Sequence, residues 1–227
     1  MADLHPVTSV TASPAAQNMV RLDIGVDDAL RDAFNAPGQY VMASFFDGKP
    51  KPLALACAPG STSFVFLVKE EDDAQRDKLL AMTAADLQMS APEGPGFPLD
   101  KADGTPLWLV GVGSGIAPLL SVAEHLKADL RDRDVTLLYG VRSAAHLAVD
   151  EELQALAKAG LAVHMVYSRD DVDGARKGYV QDHVAALAPA ADTVTFMCGL
   201  RPMEDALQEA LTTAGASADN AFRNYGW

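Results

Sequence analysis

Two cysteines in 227 residues, Cys57 and Cys198, are too few and too far apart for a disulfide framework or a cysteine-rich metal site. Reduced thiols, and a reducing compartment, are the expectation. The five histidines, His5, His125, His146, His164 and His183, stand at no ligand spacing, so no metal centre is expected. Basic residues are also scarce: 18 Lys and Arg against 31 Asp and Glu leave a formal net charge of −13, with no Lys/Arg tract. That removes the electrostatic footprint of a nucleic-acid binder and disfavours an anionic membrane surface. Solubility is the simplest reading of the acidity. There is no G-x-S-x-G nucleophile elbow and no defensible pair of catalytic carboxylates. Met1-Ala-Asp-Leu-His-Pro does not read as a secretory or transit signal. The charge-free run from Gly104 to Ala123 is long enough to span a bilayer, but its close glycines and Pro118 read as strand, turn and helix instead. A soluble, cytoplasmic chain without membrane insertion is expected.

What the chain does have is Trp108-Leu109-Val110-Gly111-Val112-Gly113-Ser114-Gly115-Ile116-Ala117-Pro118. An apolar run is followed by glycines at every second position, then by Ile116, Leu119, Leu120, Ala123 and Leu126 at helical spacing. The order predicts buried strand, tight turn and amphipathic helix. Such a turn presents backbone N–H groups and a helix N-terminus to a negatively charged group, usually a pyrophosphate. The spacing is G-x-G-x-G rather than the dinucleotide fingerprint G-x-G-x-x-G, so a glycine-rich turn without ligand is the competing reading.

The first hundred residues read as strands. Val20 to Ile24 alternates apolar and polar; Pro37-Gly38-Gln39-Tyr40 opens a strand running to Phe46; Asp47-Gly48-Lys49-Pro50 is a turn; Phe64 to Lys69 is a further strand. Asp73 to Met82 has helical composition, with Leu79, Leu80 and Ala74 facing inward. Short strands with turn signals predict an antiparallel barrel or sandwich. From Pro106 the pattern changes. Apolar strands at 106–112, 134–140, 161–167 and 193–198 alternate with helical stretches at 115–129, 150–159, 179–188 and 201–214, a βαβ series that implies a parallel sheet. The polar, turn-rich segment Asp100 to Pro106 divides an antiparallel domain, residues 1–103, from an α/β domain, residues 104–227.

A barrel followed by a nucleotide domain, with this glycine loop, resembles the ferredoxin–NADP reductase family from end to end. In the second half the resemblance rests on Gly111 to Pro118, Tyr139-Gly140-Val141-Arg142-Ser143, Tyr167-Ser168-Arg169, Arg176-Lys177-Gly178-Tyr179 and Cys198-Gly199-Leu200-Arg201-Pro202-Met203. It implies that Gly111, Gly113, Ser114, Gly115 and Pro118 cradle a nucleotide pyrophosphate, and that Arg142, Ser143, Ser168, Arg169, Lys177 and Tyr179 surround the ribose-phosphate end. Arg and hydroxyl donors suit a 2′-phosphate, whereas Asp170, Asp171 and Asp173 in the same loop would repel one. Cys198, Gly199 and Met203 would lie at the nicotinamide. A buried Cys by itself is usually only a small apolar residue.

In the first half the family's Arg-x-Tyr-Ser flavin motif is missing. Lys51-Pro52-Leu53-Ala54-Leu55-Ala56-Cys57 stands there, so Lys51 would act as a point charge, with Leu53, Ala54 and Cys57 around the flavin. The Gly-x-x-Ser/Thr pyrophosphate motif is replaced by Glu70-Glu71-Asp72-Asp73, costly beside a phosphate unless the carboxylates point away. Gly94, Gly96 and Phe97 resemble the family's Gly-Pro-x-Gly-x-Phe segment near the cofactor. The C-terminal Tyr225 or Trp227 would stack on the flavin as a gate. Asn224 and Ala54 stand where plant-type members keep a carboxylate and a serine, so that proton relay is absent.

The resemblance implies a flavin-dependent oxidoreductase that moves hydride from NADPH or NADH to FAD, then electrons to an unidentified acceptor such as a small redox protein. Two other readings stand beside it: an NAD(P)H:flavin reductase that uses free flavin as substrate, and a degenerate, non-catalytic nucleotide-binding subunit or sensor.

Overall fold

A computed structural model of the chain describes residues 3–224. Tyr225 and Trp227 lie outside them. The first half holds β1 (His5–Pro6), β2 (Ser9–Ala16), β3 (Met19–Gly25), α1 (Asp28–Ala33), β4 (Tyr40–Phe45), β5 (Lys51–Ala54), β6 (Phe64–Lys69), α2 (Asp73–Leu80) and β7 (Leu87–Met89). Two antiparallel sheets result, in orders β1-β7-β4-β5 and β2-β3-β6. Just past β5 the backbone crosses between them, where Ala56 N–H donates to the Val65 carbonyl at 2.8 Å. Met19, Leu22 and Ile24 from β3, Val41 and Ala43 from β4, and Phe64 and Phe66 from β6 close on one dry core in this barrel-type domain.

The strands and turn expected over 20–24, 40–46 and 64–69 are present within a residue or two, and α2 falls inside 73–82. Leu79 is buried, but Ala74 is exposed, so it does not belong to the inner face of α2. The expectation omitted β1, β2, β5, β7 and α1. Three of these, β1, β2 and β5, contain Pro6, Pro14 and Pro52 and are outer strands of their sheets, the position where a residue without an N–H is tolerated. Asp27 starts α1, its carboxylate accepting from Leu30 N–H at 2.8 Å.

The second half runs β8 (Leu107–Val112), α3 (Ile116–His125), β9 (Val135–Val141), α4 (Asp150–Ala159), β10 (Ala162–Tyr167), β11 (Arg176–Lys177), α5 (Val184–Leu187), β12 (Val194–Cys198), α6 (Arg201–Thr213) and β13 (Ala221–Arg223). They form one parallel sheet in the order β11-β10-β9-β8-β12-β13. The apolar strands are covered on both faces. Leu107 and Leu109 of β8, with Val135 and Leu137 of β9, join α3 and α4 in one core. Trp108 and Val110, with Leu138 and Met197, face Val184 of α5 and Leu207 and Leu211 of α6. The helix expected over 115–129 is shorter, because Gly113–Gly115 form a 3₁₀ turn and α3 stops before Leu126. The stretch 179–188 is a 3₁₀ turn, Val180–His183, leading into one turn of α-helix that ends at left-handed Ala188 (φ 48°).

The two halves share a core. Phe97 stacks on Phe196 of β12, ring centroids 4.6 Å apart and 10° from parallel. Ser121 of α3, fully buried, donates to the Cys57 carbonyl at 2.6 Å.

Candidate functional site

The order of the parallel sheet decides where a ligand fits. After β8 the chain builds outward through β9, β10 and β11, then returns to the other side of β8 with β12 and β13. In open α/β sheets, ligands bind outside the carboxyl ends of the strands at such a reversal. A cleft of about 750 Å³ opens there. One wall comes from the carboxyl ends of the parallel strands. The other comes from the first domain: Asn18, Met19, the Pro52-Leu53-Ala54 stretch of β5, and Leu67 and Lys69 of β6.

At the reversal the glycine turn after β8 meets the Cys198-Gly199 turn after β12. A Cβ added to Gly115 would collide with the Cys198 carbonyl and lie 2.8 Å from its carbon and 3.2 Å from Gly199 N, so only hydrogen fits between the loops. Gly113 has φ 54° and nothing within 4 Å of its missing Cβ, which leaves its backbone open to the cleft. The buried Tyr139 hydroxyl donates to the Gly113 carbonyl at 3.0 Å and pins the turn from below. The 3₁₀ turn and the start of α3 direct backbone N–H groups into this end of the cleft, a cradle for an anion.

On the facing turn, Gly199 N–H donates to the Glu204 carboxylate at 3.1 Å, and Glu204 is itself nearly buried beside Arg223. Burial pushes the Glu204 carboxyl above its ordinary range, against the Gly199 N–H and Arg223, which lower it. The same burial, with the Glu204 charge adding to it, pushes the Cys198 thiol up to about 12. The thiol is therefore protonated at neutral pH and has no nucleophilic character. What Cys198 offers the cleft is its backbone and a small apolar surface.

A second loop pair lies beyond β9 and β10. Ser168 N–H donates to the Val141 carbonyl at 3.0 Å and Arg169 N–H to the Arg142 carbonyl at 2.9 Å, aligning two arginines on one rim. Arg169 makes no ion pair among the described residues. Two of the three aspartates of this loop are engaged: Asp170 accepts from Ala144 N–H at 2.9 Å, and Asp171 holds Lys177 at 3.4 Å. Tyr179 stands 63% exposed at the mouth of the cleft.

Of the residues expected at the site, Leu53, Ala54, Gly113, Ser114, Gly115, Pro118, Arg142, Ser168, Arg169, Tyr179, Cys198, Gly199 and Met203 all line this cleft. The others stand off its walls. Gly111 is packed within the sheet, where an added Cβ would lie 2.6 Å from a Leu119 methyl. Lys51 is exposed at the start of edge strand β5. Cys57 is buried and bonded through its carbonyl to Ser121. Gly94 and Gly96 sit against the first domain's own chain, where a Cβ would lie 3.1 Å from the Tyr40 ring and 2.7 Å from the Pro37 carbonyl respectively, and Phe97 packs between the domains on Phe196. Ser143 bonds His146, which does line the cleft, at 2.7 Å. Lys177 is turned to Asp171.

Sequence reasoning missed Asn18, Met19, Leu67, Lys69, His146 and Gln181 on the walls. Only Lys69, the cation ending an apolar strand, carried a signal in the sequence. Chemically the cleft combines an N–H cradle, a guanidinium (Arg169) with no acidic partner among the described residues, and an apolar slot between the β5 segment and the Cys198 turn. That is the donor set for a phosphate-bearing ligand with a flat ring.

The sequence of residues 109–209 matches the oxidoreductase NAD-binding domain. The chain is 27% identical over 202 residues to a flavohemoprotein of Oceanobacillus iheyensis, covering 82% of this chain and 50% of that protein. It is 25% identical over 194 residues to the ferredoxin–NAD(P)+ reductase component of the naphthalene 1,2-dioxygenase system of Pseudomonas putida, covering 82% of this chain and 59% of that one. It thus spans about half the length of these relatives. The crystal structure of a ferredoxin–NADP+ reductase from Neisseria gonorrhoeae with bound FAD and NADP superposes with a TM-score of 0.78 at 18% identity, over 96% of this chain and 98% of that one. The barrel-type domain, the parallel sheet with its glycine cradle, and these likenesses agree: residues 109–209 carry an oxidoreductase NAD-binding domain, and the whole chain has the two-domain fold of a ferredoxin–NADP reductase.

Proposed function

We propose that this chain is an NAD(P)H-dependent flavin oxidoreductase whose residues 1–103 hold FAD and whose residues 104–227 hold the nicotinamide nucleotide. Electrons would leave to an acceptor such as a small redox protein, in a reducing, cytoplasmic setting that its two free, buried cysteines suit. The observation that carries the reading is the shared cleft: Pro52, Leu53 and Ala54 on one wall oppose the Gly113–Gly115 cradle and the Cys198-Gly199 turn on the other. Bound together, the two cofactors supply hydride chemistry, and the protein's part is to hold them.

Gly113, Ser114 and Gly115 would take the pyrophosphate of the nucleotide through backbone N–H groups. Gly199, free of a side chain, would let the nicotinamide approach the β12 turn, with Glu204 holding the Gly199 N–H so that this peptide keeps one orientation. Leu53 and Ala54 would form the dry floor beneath the flavin ring; they exclude water but donate no proton. Arg169 and Ser168, with Tyr179, suit a 2′-phosphate, and Asp170, held by Ala144 N–H, does not pair with Arg169. NADPH is therefore the favoured donor.

A second reading, flavin as a dissociating substrate, is favoured by one observation: the cationic residue Lys51 stands outside the cleft, leaving Lys69 as the lysine on its wall. One experiment separates these readings. The purified protein is examined for a flavin spectrum, then given NADPH and NADH separately without oxygen. Bleaching of bound flavin, faster with NADPH, is the expected outcome. A colourless protein that oxidises NADPH only when flavin is added would replace it with the free-flavin reaction. A protein that binds neither flavin nor nucleotide would refute both and leave a non-catalytic relative.

A further inference from the structure

The four consecutive carboxylates Glu70, Glu71, Asp72 and Asp73 do not behave alike. Glu70 accepts from Asp72 N–H at 3.0 Å, Asp72 caps α2 through Gln75 N–H at 2.9 Å, and Asp73 pairs with Arg76 at 2.6 Å. All three are used within their own segment. Glu71 reaches out of it. One of its oxygens accepts from Lys69 Nζ at 2.7 Å and Asn18 Nδ2 at 3.1 Å, and lies 3.5 Å from a terminal nitrogen of Arg142.

These three donors come from separate elements: the β2–β3 turn, the end of β6, and the turn beyond β9 in the second domain. All three line the cleft, and Glu71 does not. Asn18 is buried, and its carbonyl accepts from Glu70 N–H at 2.9 Å, so the donor and the acidic loop are tied together. The Lys69 hydrogen bond, then that of Asn18, lowers the Glu71 carboxyl below its ordinary range and keeps it ionised at neutral pH. A lysine, an arginine and an amide converging on one anionic oxygen form the donor set that binds phosphate.

We propose that Glu71 is a built-in stand-in for a phosphate group: it occupies an anion subsite made by Lys69, Asn18 and Arg142 across the two domains, and a phosphate-bearing ligand must displace it. Glu71 is on this account a specificity-determining residue. It weakens ligands whose phosphate needs these cations and leaves phosphate-free ones untouched. It also links the domains through Arg142, a link that opens when a phosphate takes its place. The inference rests on the reading of the cleft as a dinucleotide site, and the phosphate has two possible sources there, the flavin nucleotide and the nicotinamide nucleotide.

The test is ligand binding by the native chain and by Glu71→Gln, which keeps an acceptor for Asn18 but removes the charge. Fluorescence titrations with FAD, riboflavin and NADPH are joined by the rise in melting temperature with inorganic pyrophosphate. Glu71→Gln is expected to bind a phosphate-bearing ligand about three- to tenfold more tightly, the range for releasing exposed ion pairs, with riboflavin unchanged. The gain should shrink as salt is raised. A gain confined to FAD assigns the displaced phosphate to the flavin nucleotide; one confined to NADPH assigns it to the nicotinamide nucleotide through Arg142. Lys69→Met should weaken the same ligand. Flavin binding with no change in FAD, NADPH or pyrophosphate on Glu71→Gln overturns the proposal and leaves the oxidoreductase reading intact. No flavin or NADPH binding, but a larger pyrophosphate shift in Glu71→Gln, refutes that reading and supports the subsite.

Discussion

Gly115→Ala tests the meeting of the two loops most directly. The added methyl would press on the Cys198 carbonyl, with Cys198 carbon at 2.8 Å and Gly199 nitrogen at 3.2 Å. Every atom it meets is backbone, so no side-chain rotation relieves the contact. Both loops are also anchored, one by Tyr139 on Gly113 and the other by Glu204 on Gly199. Overpacking of this kind costs ~1–3 kcal/mol. For a chain of this length each kcal/mol lowers the melting temperature by about 2–4 °C. Separating the loops also moves the cradle away from the Cys198 turn, and displacements on the order of 1 Å cost up to ~100-fold in positioned chemistry. We therefore expect Gly115→Ala to lose ~1–3 kcal/mol in urea unfolding, and to bind nicotinamide nucleotide about tenfold or more weakly by titration calorimetry. Gly113→Ala is the control. Its methyl meets nothing within 4 Å, so its cost is confined to the left-handed backbone, ~1–2 kcal/mol. A Gly115→Ala protein with native stability and native nucleotide affinity would refute the reasoning.

Three further outcomes follow from the packing. Phe97→Ala removes the ring stacked on Phe196 between the domains and should cost ~3–5 kcal/mol in urea unfolding; a loss under about 1 kcal/mol would mean that the interface repacks. Ser121→Ala deprives the buried Cys57 carbonyl of its 2.6 Å partner and should cost ~1–3 kcal/mol, read from the same midpoints. The third concerns pH. Burial raises the Glu204 carboxyl above its ordinary value of 4.5, so the folded chain holds that proton more tightly than the unfolded one. Its contribution to stability is complete below 4.5 and is lost as pH rises through the raised folded value. Glu204→Gln should flatten that part of the stability–pH curve while keeping an acceptor for Gly199 N–H; an unchanged curve would assign the slope to other groups.

The central strands β8, β9, β10 and β12 and the helices α3, α4 and α6 of the second domain were legible because they are apolar runs or carry apolar residues at helical spacing; the short edge strands β11 and β13 were not. Local pattern and final burial coincide there. The first domain was half legible for the opposite reason. Its edge strands β2 and β5 carry Pro14 and Pro52 and are held on one side only, by the adjacent hairpin strands β3 and β4, so their own residues give no strand signal. The glycine turn, the Cys198-Gly199 turn and the Ser168-Arg169 pair were readable as a set, since each needs particular residue types at consecutive positions. Gly94, Gly96 and Phe97 were readable as a motif but not as to place: the stack on Phe196 depends on a residue about a hundred positions away.

The sequence by itself determined two things: a glycine cradle at the end of a buried strand, and the alternation that makes the parallel sheet. Both are local consequences of side-chain size and period. The tertiary structure alone decided which walls face each other and which charges are free to act. Lys69 and Arg142 are taken by Glu71, Lys177 by Asp171, and Arg169 is left without an acidic partner among the described residues. Ion pairing depends on distance in space, and no spacing along the chain encodes which carboxylate a cation will meet.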